Sequence, residues 1–140
     1  MDYSLLPFKG IYWKLDKDAP FEIKPNLYPV PDLQVPFLGV HFTPSLDNDI
    51  NIGPTAIPCF GRENYEGFKD FELLNSITFF KDLAVQWLKN KNGFRNYARN
   101  QALQGFKPYF LQSAKMLLPS LEDKHLLKSN KVVIRAQLYD

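Results

Sequence analysis

Polar and apolar positions divide the chain into a front half with a period of two and a back half with a longer one. Residues 38–43 place Leu38, Val40 and Phe42 on one side and Gly39, His41 and Thr43 on the other, the pattern of a half-buried strand. A polar turn over 45–49 separates this run from a second alternation, Ile50 and Ile52 against Asn51, Gly53 and Thr55. Paired as a hairpin with Thr43 opposite Asn51, the two runs bring His41 near Gly53 and Gly39 near Thr55. One face is then apolar. The other carries an imidazole among glycines, hydroxyls and an amide, small residues that leave room for a ligand. His41 reads there either as a hydrogen-bonded structural residue or as a chemical group at a site.

Upstream, 8–15 predicts a strand with Ile11, Trp13 and Leu15 on one side and Lys9 on that same side at its open end. A turn at 16–20 and short extended pieces at 21–24 and 26–30 follow. Nine of the eleven prolines lie between Pro7 and Pro58. Proline fixes φ and donates nothing to a ladder, so this half reads as short strands joined by rigid corners.

From Asp70 the period lengthens to about 3.6. Leu73, Leu74, Ile77, Phe80, Ala84, Trp87 and Leu88 form one apolar stripe of a long helix, broken at 90–93. A second helix over 94–103 sets Phe94, Tyr97, Ala98 and Ala102 on one side, with Lys91, Arg95 and Arg99 on the other. Gly105 ends it. A third helix runs from Pro108 to Leu118 and stops at Pro119. Ser120 then reads as the N-cap of a short fourth helix reaching about Leu127, with His125 exposed on it and without a role. The chain closes on a strand over 131–139, with Val132, Ile134, Ala136 and Leu138 facing one way and Val133, Arg135, Gln137 and Tyr139 the other. These elements predict an α+β fold.

Composition narrows the classes. A chain of 140 residues makes one domain able to bury about two-thirds of its unfolded surface. With 45% hydrophobic and 23% charged residues it is globular, and twelve Phe and seven Tyr supply a packed core. A formal charge of +2 is too small to point to nucleic acid or an acidic membrane surface. The stripe of Lys91, Arg95 and Arg99 is the feature favouring nucleic acid, but it lacks interleaved aromatics on which bases would stack and reads as a solvated face. A single cysteine, Cys59, makes no internal disulfide, which fits a reducing compartment and no metal cluster. No apolar run approaches transmembrane length, and the first residues lack a signal peptide's features, so a soluble, cytoplasmic protein is expected, with peripheral membrane association left open for a longer enzyme.

Candidate chemistry beyond His41 is sparse. Arg62 offers a carboxylate its planar fork of donors, or pairs with Glu63 or Glu66. Arg135 on its strand needs a counter-anion if buried, from the protein or a ligand, and meets water if the strand is an edge. The run Pro29-Val-Pro-Asp32 lacks the basic anchor of a polyproline ligand. The seven glycines never form a dinucleotide fingerprint or a phosphate-cradling loop, and no nucleophile elbow, zinc helix or paired-cysteine motif is present.

Six collinear segments carry a resemblance: Pro7-Phe-Lys-Gly-Ile-Tyr-Trp13, Leu27-Tyr-Pro-Val-Pro-Asp32, Pro36-Phe-Leu-Gly-Val-His-Phe-Thr43, Gly53-Pro-Thr-Ala56, Phe60-Gly-Arg-Glu63 and Ile134-Arg-Ala-Gln137. From about Pro7 to Tyr139 the chain resembles the substrate-binding part of the L-2-hydroxyglutarate oxidase/dehydrogenase family, FAD-dependent oxidoreductases similar to D-amino-acid and glycine oxidases. It departs from the family pattern at Lys9 (usually Arg), Ile11 (Glu), Trp13 (Tyr), Thr55 (Asn) and Val133 (Gly), changes that touch substrate identity more than fold.

The resemblance implies a mostly antiparallel sheet of short strands covering a flavin, with about four helices packed on its far face. Residues 1–140 would be a single substrate-binding domain. The Rossmann-type FAD-binding domain would be absent from this chain and supplied by a longer polypeptide or a partner chain. The resemblance further implies FAD as cofactor and a 2-hydroxy acid as substrate, L-2-hydroxyglutarate above all. His41 would be the catalytic base and Arg135 the holder of the substrate carboxylate. Lys9, Thr43, Arg62 and Gln137 would orient the substrate or its second carboxylate. Alone, such a domain would lack turnover and expose the face that meets the flavin domain, which invites a homodimer. The alternative is a stand-alone, non-enzymatic module that binds carboxylates or docks on another protein.

Overall fold

The computed structural model describes residues 4–31, 38–66, 69–90 and 93–139. The elements are β1 (Ser4–Leu15), β2 (His41–Pro44), β3 (Ile50–Gly53), β4 (Ile57–Pro58), α1 (Leu73–Lys89), α2 (Phe94–Leu103), α3 (Lys107–Ala114), a single 3-10 turn (Asp123–His125) and β5 (Leu126–Tyr139). All five strands join one antiparallel sheet in which β1 is central. β5 runs along one edge of β1. β3 and β4 share its other edge, and β2 lies outside β3. Among the described residues no helix is long and apolar enough to cross a membrane.

The proline-rich half makes a sheet because other groups replace the donors proline removes. After β3 the chain turns at Gly53–Pro54 and rejoins β1 through Thr55, whose N–H donates to the Ile11 carbonyl at 3.1 Å. Pro54 supplies no donor there, and the Thr55 hydroxyl completes the ladder by accepting from the Ile11 N–H at 3.1 Å.

Alternation then divides the sheet into two faces. Trp13 stands opposite Ile52, and Ile52 opposite Phe42. This face packs on α3: Phe42, Ile52, Phe110, Ala114 and Leu121 are fully buried together with Leu15, Val40 and Leu126, and the rings of Trp13 and Phe110 lie 6.0 Å apart. A second aromatic group ties α1 to the sheet's other end, where Phe79 meets Phe8 edge-on at 5.7 Å and Phe80 joins Phe60 at 5.7 Å.

Several expectations are corrected. β1 and β5 are 12 and 14 residues long, not short, because each lends the other its ladder partners. β5 begins at Leu126, where the Leu15–Leu126 pair is buried in the core, so the expected fourth helix shrinks to the 3-10 turn. The cap of that turn is Glu122, not Ser120. His125 is buried, with its Nδ1 accepting from the Glu122 N–H at 3.0 Å and its ring edge-on to Phe21 at 5.1 Å. The extended pieces expected at 21–24 and 26–30 form no strand beyond one bridge, Leu27 to Phe42. The helices do not form one layer, since Phe8, which meets α1, alternates with the residues facing α3. Of the apolar stripe expected on α1, Leu73, Leu74, Ile77, Phe80, Trp87 and Leu88 are exposed, while Ser76 and Phe79 are buried. Of the expected basic stripe, Lys91 lies outside the described residues, and Arg95 closes the end of α1 by donating to the Trp87 and Leu88 carbonyls at 2.6 and 3.0 Å. α2 falls on the expected residues.

Candidate functional site

The hairpin forms in the register read from alternation, with Thr43 opposite Asn51 and His41 opposite Gly53. Gly39 does not reach Thr55, which bonds to β1 instead. His41 therefore stands on the face opposite the core. Its Nδ1 lies 3.0 Å from the Gly39 carbonyl. A carbonyl only accepts, so Nδ1 carries the proton and Nε2 of a neutral ring keeps its lone pair. The ring packs on Tyr28 with centroids 4.7 Å apart and planes tilted by 35°.

Gly53 opens this row to β1. A Cβ there would sit 3.0 Å from the Tyr12 ring and 2.9 Å from the Ile11 carbonyl, and its φ of +146° suits glycine alone. Tyr12 thus lies against the gap between His41 and β1. Burial, with a contribution from Tyr28, pushes the Tyr12 phenol above its ordinary value, so its O–H remains a donor at neutral pH. Beyond Tyr12, β5 bulges: Ile11 pairs with Val132 and Trp13 with Lys128, leaving three residues of β5 against one of β1. The Lys131 N–H donates to the Ser129 hydroxyl at 3.1 Å across this bulge, and the Lys131 ammonium rests 4.8 Å from the centre of the Tyr12 ring. A groove of about 390 Å³ adjoins the row, lined by Lys14, Asp47, Asp49, Asn51, Lys128 and Lys131 among others. Lys14 and Lys17 both pair with Asp49, holding its carboxyl below the usual range.

The other residues singled out from sequence are dispersed. Thr43 is two pairs along from His41, the next residue of β2 on the same face. Arg135 stands opposite Phe8, roughly 13 Å along the strands and roughly 14 Å across them from His41 by ordinary strand spacings. It lies by Tyr97 of α2, where its charge offsets part of the upward push that burial gives the Tyr97 phenol. Lys9 is on the Trp13 side and donates to Asn64 Oδ1 at 3.2 Å. Arg62 pairs with neither Glu63 nor Glu66 but with Glu72, Nε to Oε2 at 3.5 Å. Gln137 takes its place in β5 opposite Leu6. Tyr12, Tyr28 and Lys131 were not singled out. The alternation of β1 would have found Tyr12 once β3 was known to be its neighbour, and nothing local marks the other two.

Among the described residues no cluster of His, Cys, Asp or Glu is placed to hold a metal ion. Cys59 is buried, its thiol donating to the Gly61 carbonyl at 3.0 Å. Among the described residues a dinucleotide's phosphates find no cradle either: every strand pairing is antiparallel, none of the βαβ kind, and Gly10, Gly53 and Gly61 serve close packing. These residues therefore do not fit the phosphate-bearing part of FAD. They offer one polar and aromatic face.

Fold and site together define an α+β protein with an antiparallel sheet whose outer face carries a histidine, two tyrosines and a lysine in a row. No family model matches the chain. It is 32% identical to the L-2-hydroxyglutarate dehydrogenase of Indibacter alkaliphilus over 146 aligned positions, covering 100% of this chain and 34% of that protein. The mitochondrial L-2-hydroxyglutarate dehydrogenases of Bos taurus and Homo sapiens are 50% and 48% identical, over 67% and 65% of this chain and 19% of each relative. The chain thus belongs to the L-2-hydroxyglutarate dehydrogenase family, and it spans about a third of the length of the bacterial relative it matches.

Proposed function

We propose that this chain forms the substrate-facing sheet of an oxidoreductase acting on a 2-hydroxy acid, with L-2-hydroxyglutarate the leading substrate, and that His41 is its base. One observation carries the assignment: the Nδ1–H bond to the Gly39 carbonyl leaves Nε2 as an acceptor on the outer face, without a hydrogen-bond partner among the described residues and open to a substrate hydroxyl. As the hydroxyl proton leaves for Nε2, the imidazolium that forms keeps its Nδ1–H on Gly39, and the stack on Tyr28 holds the ring in place. Thr43, on the same alternation, would orient the acid. The electron acceptor, FAD by family resemblance, would be held by residues other than these, in a longer polypeptide or a partner chain.

The test is turnover of L-2-hydroxyglutarate by the protein isolated from its source cells with whatever chains accompany it. His41→Asn is expected to lower the rate by ~10²-fold or more. An unchanged rate refutes the base, and a wild-type protein that turns over no 2-hydroxy acid refutes the function.

A further inference from the structure

The hairpin alone does not account for the tautomer of His41. Where β3 leaves for β1, the Thr55 N–H donates to the Ile11 carbonyl and not to Gly39. The chain bends at Val40, and the Gly39 carbonyl accepts instead from the Nδ1–H of His41 at 3.0 Å. A bond between a side chain and a carbonyl two residues back lasts only while the bend does.

The segment outside β2 meets both ends of that bond. Leu27 and Phe42 exchange two backbone hydrogen bonds, at 3.0 and 2.9 Å, and antiparallel order then sets Tyr28 opposite His41. Their rings accordingly lie 4.7 Å apart. Pairing stops there because Pro29 has no N–H for the next pair. The Pro29 ring rests on Gly39 instead, where an added Cβ would lie 3.1 Å from Pro29 Cγ. Tyr28 thus covers the ring of the donor, and Pro29 backs the residue that accepts.

We propose that Tyr28 and Pro29 are positioning residues that keep His41 in the tautomer with its proton on Nδ1 and with Nε2 bare. Neither takes or gives a proton. Which nitrogen of an imidazole is protonated follows the hydrogen bond the other one makes or leaves unmade. A ring turned off Gly39 could carry its proton on Nε2, and an Nε2–H cannot accept one from a hydroxyl. The role rests on the reading of His41 as base above and adds what selects its basic nitrogen.

The other histidine of the chain supplies an internal comparison. His125 Nδ1 accepts from the Glu122 N–H, so its proton lies on Nε2, and the two neutral rings are opposite tautomers. The experiment records the ring-nitrogen resonances of the 140-residue chain, labelled at histidine, at about pH 8, where imidazole is ordinarily neutral. The wild type is expected to show Nδ1–H for His41 and Nε2–H for His125. Tyr28→Leu and Pro29→Ala should each bring in the second tautomer of His41, with an unchanged His125 showing that the fold is kept. Tyr28→Phe, which keeps the ring, should match the wild type. In the protein isolated with its accompanying chains, Tyr28→Leu should lower kcat for L-2-hydroxyglutarate by ~10-fold at constant KM, the pattern of a misaligned base. A His41 that keeps its Nδ1 proton in both variants overturns the positioning role and leaves the base standing. A wild type with the proton on Nε2 overturns both. A tautomer that shifts while kcat holds overturns the base and leaves the positioning role intact.

Discussion

Gly10 shows how closely single residues are fitted in the centre of this sheet. A Cβ at this position would lie 2.6 Å from Pro54 Cβ and 2.9 Å from Val133 Cγ2, so β1 meets both neighbours with no room for a methyl group. Gly10→Ala is therefore expected to lower stability by about 1–3 kcal/mol, the usual cost of overpacking, read as a shifted urea midpoint. An unchanged midpoint would mean that the segment at Pro54 and β5 yield easily. His41 was legible at this scale because alternation and a short turn fix a hairpin's register. Tyr12, Tyr28 and Lys131 were not, since their place on this face depends on which strand lies next to β3, on an isolated bridge and on a bulge. Arg135 was singled out as a strand arginine in need of an anion, and the structure sets it by Tyr97.

Among the elements, the β2–β3 hairpin is tied to β1 and to the turn after it by Asp49, which takes Lys14 on one oxygen and Lys17 at 3.2 Å on the other. Because these cations hold the Asp49 carboxyl below its ordinary value, the tie contributes stability above the unfolded pKa of about 3.9 and loses it as pH falls through the lower folded value. Thermal melts of Asp49→Asn and wild type should differ near neutrality and converge as the pH drops below about 4. A gap that persists into acid would point to packing and not charge. The back half was legible where chain breaks are local: Gly93 and Gly105 bracket α2 in sequence and in space. The end of the chain was not. The run Leu126-Leu-Lys-Ser-Asn130 has no clean alternation and becomes strand because β1 offers it partners, a tertiary effect that overrides local pattern.

For the whole molecule, the conspicuous feature is the outer side of α1. Its sequence has the stripe of a buried helix, but Leu74 is 79% and Leu88 73% exposed, with Ile77 and Trp87 also open. An apolar face of this kind favours association, so sedimentation of the 140-residue chain should show dimers that grow with concentration. The double change Ile77→Glu and Trp87→Glu should shift it toward monomer, and a wild type that stays monomeric at high concentration would show that the stripe is not sticky. Fold class was legible from two periods in one chain. The strand order and the division of helices between the two faces were not, because neither leaves a mark on local pattern.

The location of the site is tested most directly by recording amide and ring resonances of the labelled chain while L-2-hydroxyglutarate is added. Shifts centred on Tyr12, Tyr28, His41 and Lys131, with Lys9 and Arg62 unmoved, are the expected result. Shifts centred on Arg135 and Tyr97, or none at millimolar acid, would contradict the placement of the substrate on the His41 row.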